Sequence, residues 1–170
     1  MRFRVRPLRA SEHTQWRELR LRALHESPHA FGSRYEDQVA WPLTKWQERA
    51  AALAAGDTQI MYVAEADGDD GHLVGCAGAH VEPDGVPMVI SMWIAPESRR
   101  NGIARLLLDA LSDWSQRRGA RRLILSVVRG NQPATRAYAA YGFRTTGASV
   151  QNEHGHIEDE MALDLGPVNR

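Results

Sequence analysis

Hydrophobic positions recur with two different periods along this chain of 170 residues. A period near 3.6 residues, typical of helices that bury one face, predicts helices over about 12–26, 43–55, 101–117 and 133–142. Alternating or continuous apolar runs bounded by turn residues predict strands over about 2–8, 59–66, 73–81, 88–94, 123–128, 143–150 and 156–165. No linker or repeat interrupts these elements, so we expect residues 1–170 to form a single mixed α/β domain.

The strands at about 88–94 and 123–128 differ from the others because both are apolar nearly throughout. Such runs are typical of strands that are buried on both faces. One predicted helix, at about 101–117, connects them, and a strand–helix–strand unit of this length places its two strands parallel. A turn at 67–71 instead predicts an antiparallel hairpin from the strands on either side of it.

The composition excludes several classes of protein. No apolar run approaches the roughly 18 residues of a transmembrane helix, and the N-terminal sequence MRFRVRP lacks the apolar segment of a secretory signal. The single cysteine, Cys76, excludes an intramolecular disulfide and a multi-cysteine zinc site, and we expect it to be a buried structural thiol. These features predict a cytoplasmic protein with no membrane partner.

Charge is balanced overall but unevenly distributed along the chain. The 21 Lys and Arg residues equal the 21 Asp and Glu residues, so no general nucleic-acid partner is expected. Residues 50–98 carry eight acidic groups and no Lys or Arg, whereas residues 99–144 carry ten Arg and two Asp. The basic segment suits an anionic ligand, and the acidic segment suits a cationic one.

The strongest local signal is the loop Arg99-Arg-Asn-Gly-Ile-Ala104, between a predicted buried strand and the first turn of a helix. The first N–H groups of a helix have no partner within the helix, and the helix dipole adds positive charge there. Gly102 and Ala104 leave the backbone open to a ligand, and Arg100 and Arg105 add formal charge. The loop therefore predicts a phosphate site. It lacks the Gly-Lys-Ser/Thr of a P-loop and the three glycines of a Rossmann fingerprint.

Two blocks of the chain resemble one known family. The pattern Arg99-x-x-Gly102-x-Ala104 resembles the acetyl-CoA-binding motif of the GCN5-related N-acetyltransferase (GNAT) superfamily, Gln/Arg-x-x-Gly-x-Gly/Ala. The second block is similar to that family's segment after its fifth strand, and it reads Asn131-x-x-Ala134-x-x-Ala137-Tyr138-x-x-Tyr141-Gly142-Phe143. The resemblance is specific over about 88–145 and only topological over 1–87.

The resemblance implies a GNAT fold and a mode of binding for acetyl-CoA. The fold has a central mixed, mostly antiparallel sheet of about seven strands, about four helices, and a parallel pair, here 88–94 and 123–128, that splays apart. The pantetheine arm of acetyl-CoA would lie in this gap and pair with the main chain of the first strand at Met92, Trp93 and Ile94. The pyrophosphate would bind the loop formed by Arg99, Arg100, Asn101, Gly102, Ile103, Ala104 and Arg105. Asn131 would hydrogen-bond the cosubstrate.

The resemblance also implies a reaction, the transfer of an acetyl group from acetyl-CoA to a primary amine by direct attack in a ternary complex. Tyr138 matches the tyrosine that acts as general acid toward the departing thiolate. A backbone N–H near Met92 is the candidate donor to the oxygen that becomes negative. This chemistry requires no metal, and none is expected.

The acceptor and the general base remain open at this point. Histone-type and ribosomal-type members carry a glutamate where this chain has Met88 and Ser126, so a small-molecule amine is favoured over a protein or peptide. Polyamines, amino acids, aminoglycoside-like amines and xenobiotic amines are alternatives, as are longer acyl donors. A non-catalytic acyl-CoA-binding regulatory module is a further alternative. Homodimers are common in the family, so a homodimer of this chain is compatible with the resemblance. Candidate bases are Glu82, His80, Glu36, Glu65 or a chain of water molecules.

The segment at 29–41, between the first two predicted helices, has no clear period. In the family this region forms one wall of the acceptor site. Its aromatic and acidic side chains could therefore hold an apolar amine.

Overall fold

Seven strands form one sheet in the computed structural model, which describes residues 2–68 and 71–167. In chain order the strands are β1 (Phe3–Pro7), β2 (Gln59–Ala66), β3 (Leu73–Val81), β4 (Pro87–Ile94), β5 (Arg122–Val128), β6 (Arg144–Gln151) and β7 (Ile157–Asp164). Their order across the sheet is β1-β2-β3-β4-β5-β7-β6, and every neighbouring pair is antiparallel except β4 with β5. The predicted mixed, mostly antiparallel sheet is confirmed; residues 69 and 70 of the predicted turn lie outside the described residues.

Five α-helices accompany the sheet in the described part of the chain: α1 (His13–Glu26), α2 (Tyr35–Val39), α3 (Leu43–Ala55), α4 (Ile103–Arg117) and α5 (Gln132–Tyr141). Four of them match the predicted helices. The additional one, α2, has five residues and lies in the segment without a clear period, because one turn and a half is too short to show a helical repeat. None of the helices described is long and apolar enough to cross a membrane.

The helices cover both faces of the sheet and create two cores. On one face α4 packs its apolar stripe of Ile103, Leu107 and Leu111 against Ile60 and Tyr62 of β2. On the opposite face α1 and α3 pack against the alternate residues of β2 and against β3 and β4, through a cluster that includes Trp16, Trp46, Met61, Val63, Cys76 and Trp93. Burial on both faces explains why β2 and β3 consist largely of small and apolar residues.

The parallel pair is confirmed, and it is short. Met88 and Ile124 form the single register pair between β4 and β5 in the described chain. β5 instead pairs along its length with β7, from Arg122 opposite Asp164 to Val128 opposite Glu158. Beyond Met88 the two parallel strands separate, and a gap opens between them.

The expectation that β4 is buried on both faces is wrong. Only three of its eight residues are fully buried, namely Pro87, Val89 and Trp93. The apolar side chains of Ile90, Met92 and Ile94 are partly exposed. They line cavities on the two sides of the strand, so the apolar sequence of β4 reflects exposure to those cavities as well as burial in the core.

Cys76 has the role that the sequence predicts. Its side chain is buried, and its thiol donates to the carbonyl oxygen of Ser91 at 3.3 Å. Burial raises the pKa of the Cys76 thiol to about 11, so the group is neutral at physiological pH.

An ion-pair network ties the edge strand β1 to the turn before α1. The guanidinium of Arg6 donates to both carboxylate oxygens of Glu12, at 2.6 and 2.8 Å, and to Glu65 of β2 at 2.7 Å. The side chain of Arg6 is only 12% exposed. Its hydrogen bonds lower the pKa of Glu12 and of Glu65. Arg4 also pairs with Glu65, but from an exposed position.

We predict that Arg6→Ala lowers the free energy of unfolding by about 3 kcal/mol at pH 7, because it removes the cation shared by two largely buried carboxylates and leaves Glu65 with only the exposed Arg4. The matched variant Arg4→Ala removes an exposed pair and is expected to cost at most about 1 kcal/mol. Urea denaturation of the three proteins measures both values. Equal losses for the two variants would contradict the assignment of Arg6 as the central cation.

The same network predicts a pH dependence. Because the folded-state pKa values of Glu12 and Glu65 are lowered, their contribution to stability is fully present above their unfolded value of about 4.3. It is lost as the pH falls through the lowered folded values. The difference in stability between wild type and Arg6→Ala should therefore shrink on acidification below about pH 4.

Candidate functional site

A β-bulge interrupts β4 at the point where it leaves β5. Cys76 of β3 lies opposite Trp93, but Gly78 lies opposite Ile90, so β4 carries one extra residue in this interval. Ser91 in the interval has a φ of 57°, in the left-handed region that non-glycine residues seldom adopt. A bulge leaves its extra residue outside the regular ladder and re-aims the neighbouring side chains. As a result the neighbours Ile90 and Ser91 line the same cavity, whereas Met92 lines another.

The first cavity, which we call the β4–β5 groove, has a volume of about 410 Å³. It brings together seven of the residues that the sequence predicts for the site: Met92, Trp93, Ile94, Arg99, Ala104, Asn131 and Tyr138. They come from β4, the following loop, α4, and the start and middle of α5. Residues separated by up to 46 positions in the sequence thus line one groove, which is bounded by the last residues of β4, by α4 and by α5.

The rest of the predicted phosphate loop is not part of the groove lining. The Asn101 side chain folds back on the loop, where its amide donates to the carbonyl oxygens of Ser98 and Arg99 at 3.0 Å each. Ile103 is a fully buried core residue, and Arg105 lies 6.0 Å from the centre of the Tyr141 ring. The side chains of Asn101, Ile103 and Arg105 therefore contact other parts of the protein and do not line the groove.

The backbone at the start of α4 has the form of an anion site. Gly102, the residue before the first helical residue, has a φ of +78°, and Arg100 has a φ of +64°. Nothing lies within 4 Å of the position that a Cβ at Gly102 would occupy, so there is open space in front of the helix. The first N–H groups of this 15-residue helix have no partner within the helix. A phosphate group fits this combination of free donors and open space.

Arg99 is already engaged within the protein. Its Nε donates to the carbonyl oxygen of Ile94 at 2.9 Å, and its Nη2 donates to Glu26 of α1 at 3.0 Å. The same carboxylate oxygen accepts from the indole of Trp93 at 3.0 Å. Arg99 therefore fixes the wall of the groove as well as adding positive charge to it.

Tyr138 and Asn131 face the groove with unused polar groups. Among the described residues, none hydrogen-bonds the hydroxyl of Tyr138. The Tyr138 ring packs edge-on against Phe143, with the two ring centres 5.9 Å apart. Desolvation raises the pKa of Tyr138 to about 12, which keeps the phenol protonated at neutral pH. Asn131 caps α5 by accepting from the backbone N–H of Ala134 at 3.3 Å, which leaves its NH₂ group free to donate elsewhere.

The second cavity, which we call the α1–α2 cavity, lies on the other side of β4 and has a volume of about 550 Å³. The segment at 29–41 forms one wall, as the resemblance implies, through residues that include Phe31, Gln38 and Trp41. The two cavities have neighbouring linings at the bulge, where Ser91 lines the α1–α2 cavity and the next residue, Met92, lines the β4–β5 groove. Ala30 lines both.

Sequence reasoning missed the charged residues of the α1–α2 cavity, which are Arg20, Arg49 and Glu158. Arg20 is 7% exposed. A signal was available, because Arg20 occupies the same helical stripe as the buried Trp16 and Ala23, where an apolar residue is expected. The position of Glu158 depends on the pairing of β7 with β5, which no local pattern reveals.

The candidate bases fall in different places. His80 lines the α1–α2 cavity, and its Nε2 lies 2.5 Å from Glu82. Glu36 lines a separate cavity of about 370 Å³ beside α1 and α2. Glu65 is at the far side of the sheet and is held by Arg4 and Arg6, so it is remote from the bulge. Glu158, which the sequence did not suggest, also lines the α1–α2 cavity.

Histidine, cysteine and carboxylate side chains do not converge on a metal site in the described ranges, 2–68 and 71–167. His154, for example, interacts with the carbonyl oxygen of Gly32 at 3.1 Å.

Comparison with known proteins identifies the family. The chain is 36% identical over 98 residues to a streptothricin acetyltransferase of Streptomyces lavendulae, covering 56% of this chain and 52% of that protein. It is 32% identical over 114 residues to an uncharacterised N-acetyltransferase of Schizosaccharomyces pombe, covering 65% and 63%. Among solved structures, yncA of Salmonella typhimurium, determined with its cofactor acetyl-CoA, superposes with a TM-score of 0.77 at 17% identity. That alignment covers 100% of this chain and 98% of yncA.

The chain thus spans between about half and two thirds of the length of these two curated relatives. The model of the acetyltransferase (GNAT) family matches residues 14–143, which include all but the first residue of α1, the bulge in β4, the α4 loop and the whole of α5. The chain belongs to the acetyltransferase (GNAT) family.

Proposed function

We propose that this protein transfers an acetyl group from acetyl-CoA to the primary amine of a small molecule. The observation that carries the proposal is the meeting of two cavities at one bulge. An elongated thioester suits the β4–β5 groove, and a separate amine suits the α1–α2 cavity. The junction at Ser91 and Met92 is then the place where the two reacting groups meet.

The residues present fit acetyl-CoA. The groove is lined largely by apolar side chains, such as Ile94 and Leu108, which suit the chain of the pantetheine arm. Among the described residues, no strand pairs with the backbone of β4 beyond Met88 on the β5 side, so an extended ligand with amide groups can pair with it as an added strand. The free N–H groups at the start of α4, next to Gly102, would take the pyrophosphate. The NH₂ group of Asn131 would donate to the cosubstrate.

Acetyl-CoA supplies the activated carbonyl that the amine attacks. In this proposal the backbone N–H at Met92 donates to the carbonyl oxygen as negative charge develops on it. Tyr138, held protonated by its desolvated position, gives a proton to the departing sulfur. Holding both reactants at the bulge removes much of the entropic barrier to their reaction. A base that takes the proton of the amine would act from the α1–α2 cavity, which His80 and Glu158 line.

The proposal of a small-molecule acceptor has three supports. The α1–α2 cavity of about 550 Å³ is within the usual range of roughly 300–1,000 Å³ for small-ligand sites. Met88 and Ser126 both line it, so the two positions at which protein-acetylating relatives are expected to carry a glutamate lie inside the cavity and carry no acid. The relative from Streptomyces lavendulae is named for a small-molecule substrate, streptothricin.

The direct test measures the release of CoA thiol from acetyl-CoA by the purified protein. The acceptor panel holds polyamines, amino acids, aromatic amines, aminoglycosides and short peptides. We expect release with at least one class of small amine and none with peptides. Release with peptides alone would contradict the small-molecule proposal, and silence with every acceptor would contradict the enzyme proposal.

We predict that Tyr138→Phe lowers kcat by about 100-fold, because the departing sulfur loses its proton donor. The Kd for acetyl-CoA should stay near the wild-type value. Tyr141→Phe is the matched control on the same helix, since the Tyr141 hydroxyl donates to Asp109 at 2.7 Å and lies outside the groove lining. It should keep kcat and lose about 1 kcal/mol of stability. Equal kcat values for Tyr138→Phe and wild type would remove Tyr138 as the acid.

We predict that Gly102→Ala raises the Kd for acetyl-CoA by about tenfold, which corresponds to about 1.4 kcal/mol. The added methyl group occupies the open space before α4 and strains the left-handed backbone. Gly119→Ala is the control, because Gly119 follows the other end of α4 with a φ of +79° and equally open space. Isothermal titration gives both Kd values. If the two variants bind acetyl-CoA alike, the start of α4 is not the phosphate site.

A further inference from the structure

Arg20 is a buried cation in the wall of the α1–α2 cavity. It lies in the middle of α1, within the stripe that packs on the sheet, and is 7% exposed. Its surroundings lower the pKa of its guanidinium through desolvation, and the other titratable groups that act on it are Cys76 and Arg49. Neither of these supplies a negative charge at neutral pH, because the thiol of Cys76 is neutral.

The protein partners of Arg20 are neutral. Its Nε donates to the side-chain oxygen of Gln38 at 3.1 Å, and its Nη1 donates to the hydroxyl of Ser91 at 3.2 Å. The guanidinium carbon lies 4.8 Å from the centre of the Phe31 ring. No carboxylate of the described residues forms an ion pair with Arg20, and its Nη2 has no hydrogen-bond partner among them. Three of the five N–H groups of an arginine therefore remain available to a ligand in the cavity.

A buried guanidinium without a counter-charge is unfavourable for folding, because neutral hydrogen bonds do not replace the lost hydration of a full charge. Its position on a cavity wall suggests that a ligand supplies the missing anion. The planar fork of arginine matches a carboxylate, which can accept two parallel hydrogen bonds from it. We propose that the acceptor amine carries a carboxylate group, and that Arg20 binds this carboxylate.

The geometry limits the distance between the two groups of the acceptor. Arg20 hydrogen-bonds Ser91, and the neighbouring residue Met92 faces the groove in which the thioester would lie. A carboxylate on Arg20 is therefore close to the reacting centre, and the amine must be only a few bonds from it. A compact amino acid meets this requirement.

The remaining wall of the cavity indicates the side chain of that amino acid. Trp16, Phe31 and Trp41 line it together with Leu53 and Met61. These side chains suit an apolar or aromatic group. An apolar or aromatic amino acid is therefore the acceptor class that matches both the buried cation and its surroundings.

The charges of the cavity weigh against a polycationic acceptor. Arg20 and Arg49 both line it, whereas Glu158 is its one carboxylate among the described residues and already accepts a hydrogen bond from Asn152 at 2.9 Å. A polyamine or an aminoglycoside would bring several positive charges toward two guanidinium groups. The acidic segment 50–98 suggested a cationic ligand, but it does not determine the charge inside this cavity.

The test compares acceptors that differ only in the carboxylate: L-tryptophan with tryptamine, L-phenylalanine with phenethylamine, and L-leucine with isoamylamine. This test rests on the proposed acetyl transfer and uses thiol release from acetyl-CoA. For the pair with the highest activity, we expect wild-type kcat/KM to be at least about tenfold higher for the amino acid than for its decarboxylated amine. A higher kcat/KM for all three decarboxylated amines would overturn the assignment of Arg20, while the proposed acetyl transfer would stand.

Three variants test whether Arg20 causes the preference for the amino acid: Arg20→Met, Arg20→Lys and Arg17→Met. Arg20→Met should raise KM for the amino acid by at least about 30-fold and raise the value for the decarboxylated amine far less, so that the preference for the amino acid is lost. Arg20→Lys, which keeps the charge, should recover part of the loss. Arg17→Met is the control from the preceding turn of α1, outside the cavity lining. Equal losses for the amino acid and its amine in Arg20→Met would show a structural role and overturn the proposal.

Thermal unfolding gives a readout that is independent of turnover. Arg20→Met should keep or raise the Tm, because it removes an uncompensated buried charge. The preferred amino acid alone should raise the Tm of wild type and of Arg17→Met but not of Arg20→Met. If no acceptor gives thiol release, the proposed function fails. The rise in Tm with the amino acid then still decides whether Arg20 binds a carboxylate. A shift of equal size in Arg20→Met would overturn that role.

Discussion

The separation of β4 from β5 is the constraint on which the rest of the molecule depends. The two strands touch at one register pair, Met88 with Ile124, and then diverge. Each is held on its far side, β4 by β3 and β5 by β7, so the gap between them does not unravel the sheet. In the described chain the backbone of β4 beyond Met88 has no strand partner on this side, and an extended ligand with amide groups can pair with it. This opening links the sheet topology to the proposed binding of acetyl-CoA.

The bulge in β4 adds the second element of the site. An unbroken strand would present alternate residues to its two faces along its whole length. The extra residue, with Ser91 in the left-handed region, interrupts this alternation where the two cavities adjoin. Backbone conformations of this kind cost about 1–3 kcal/mol and persist where the surroundings hold them. Here the thiol of Cys76 donates to the carbonyl oxygen of Ser91 and the guanidinium of Arg20 donates to its hydroxyl, so both buried groups contact the bulge.

Much of the fold could be predicted from the sequence because its elements are long enough to show a period. α4 and α3 have clear apolar stripes, and β4 and β5 are marked by continuous apolar runs. The residues of the β4–β5 groove could be placed because two motifs, 99–104 and 131–143, carry them in a fixed order. α2 could not be predicted, since five residues are too few for a helical repeat. The α1–α2 cavity could not be assembled either, because its lining comes from residues between 16 and 158 whose meeting depends on tertiary packing.

Amide hydrogen exchange with and without acetyl-CoA tests most directly whether the ligand pairs with β4. We expect slower exchange at two separated places, the backbone of Met92 to Ile94 on the open edge of β4 and the first turn of α4 after Gly102. We expect little change in β1 and β2, which are far from the gap. Protection confined to α4, with β4 unchanged, would contradict the claim that the ligand pairs with β4 in the gap beside β5.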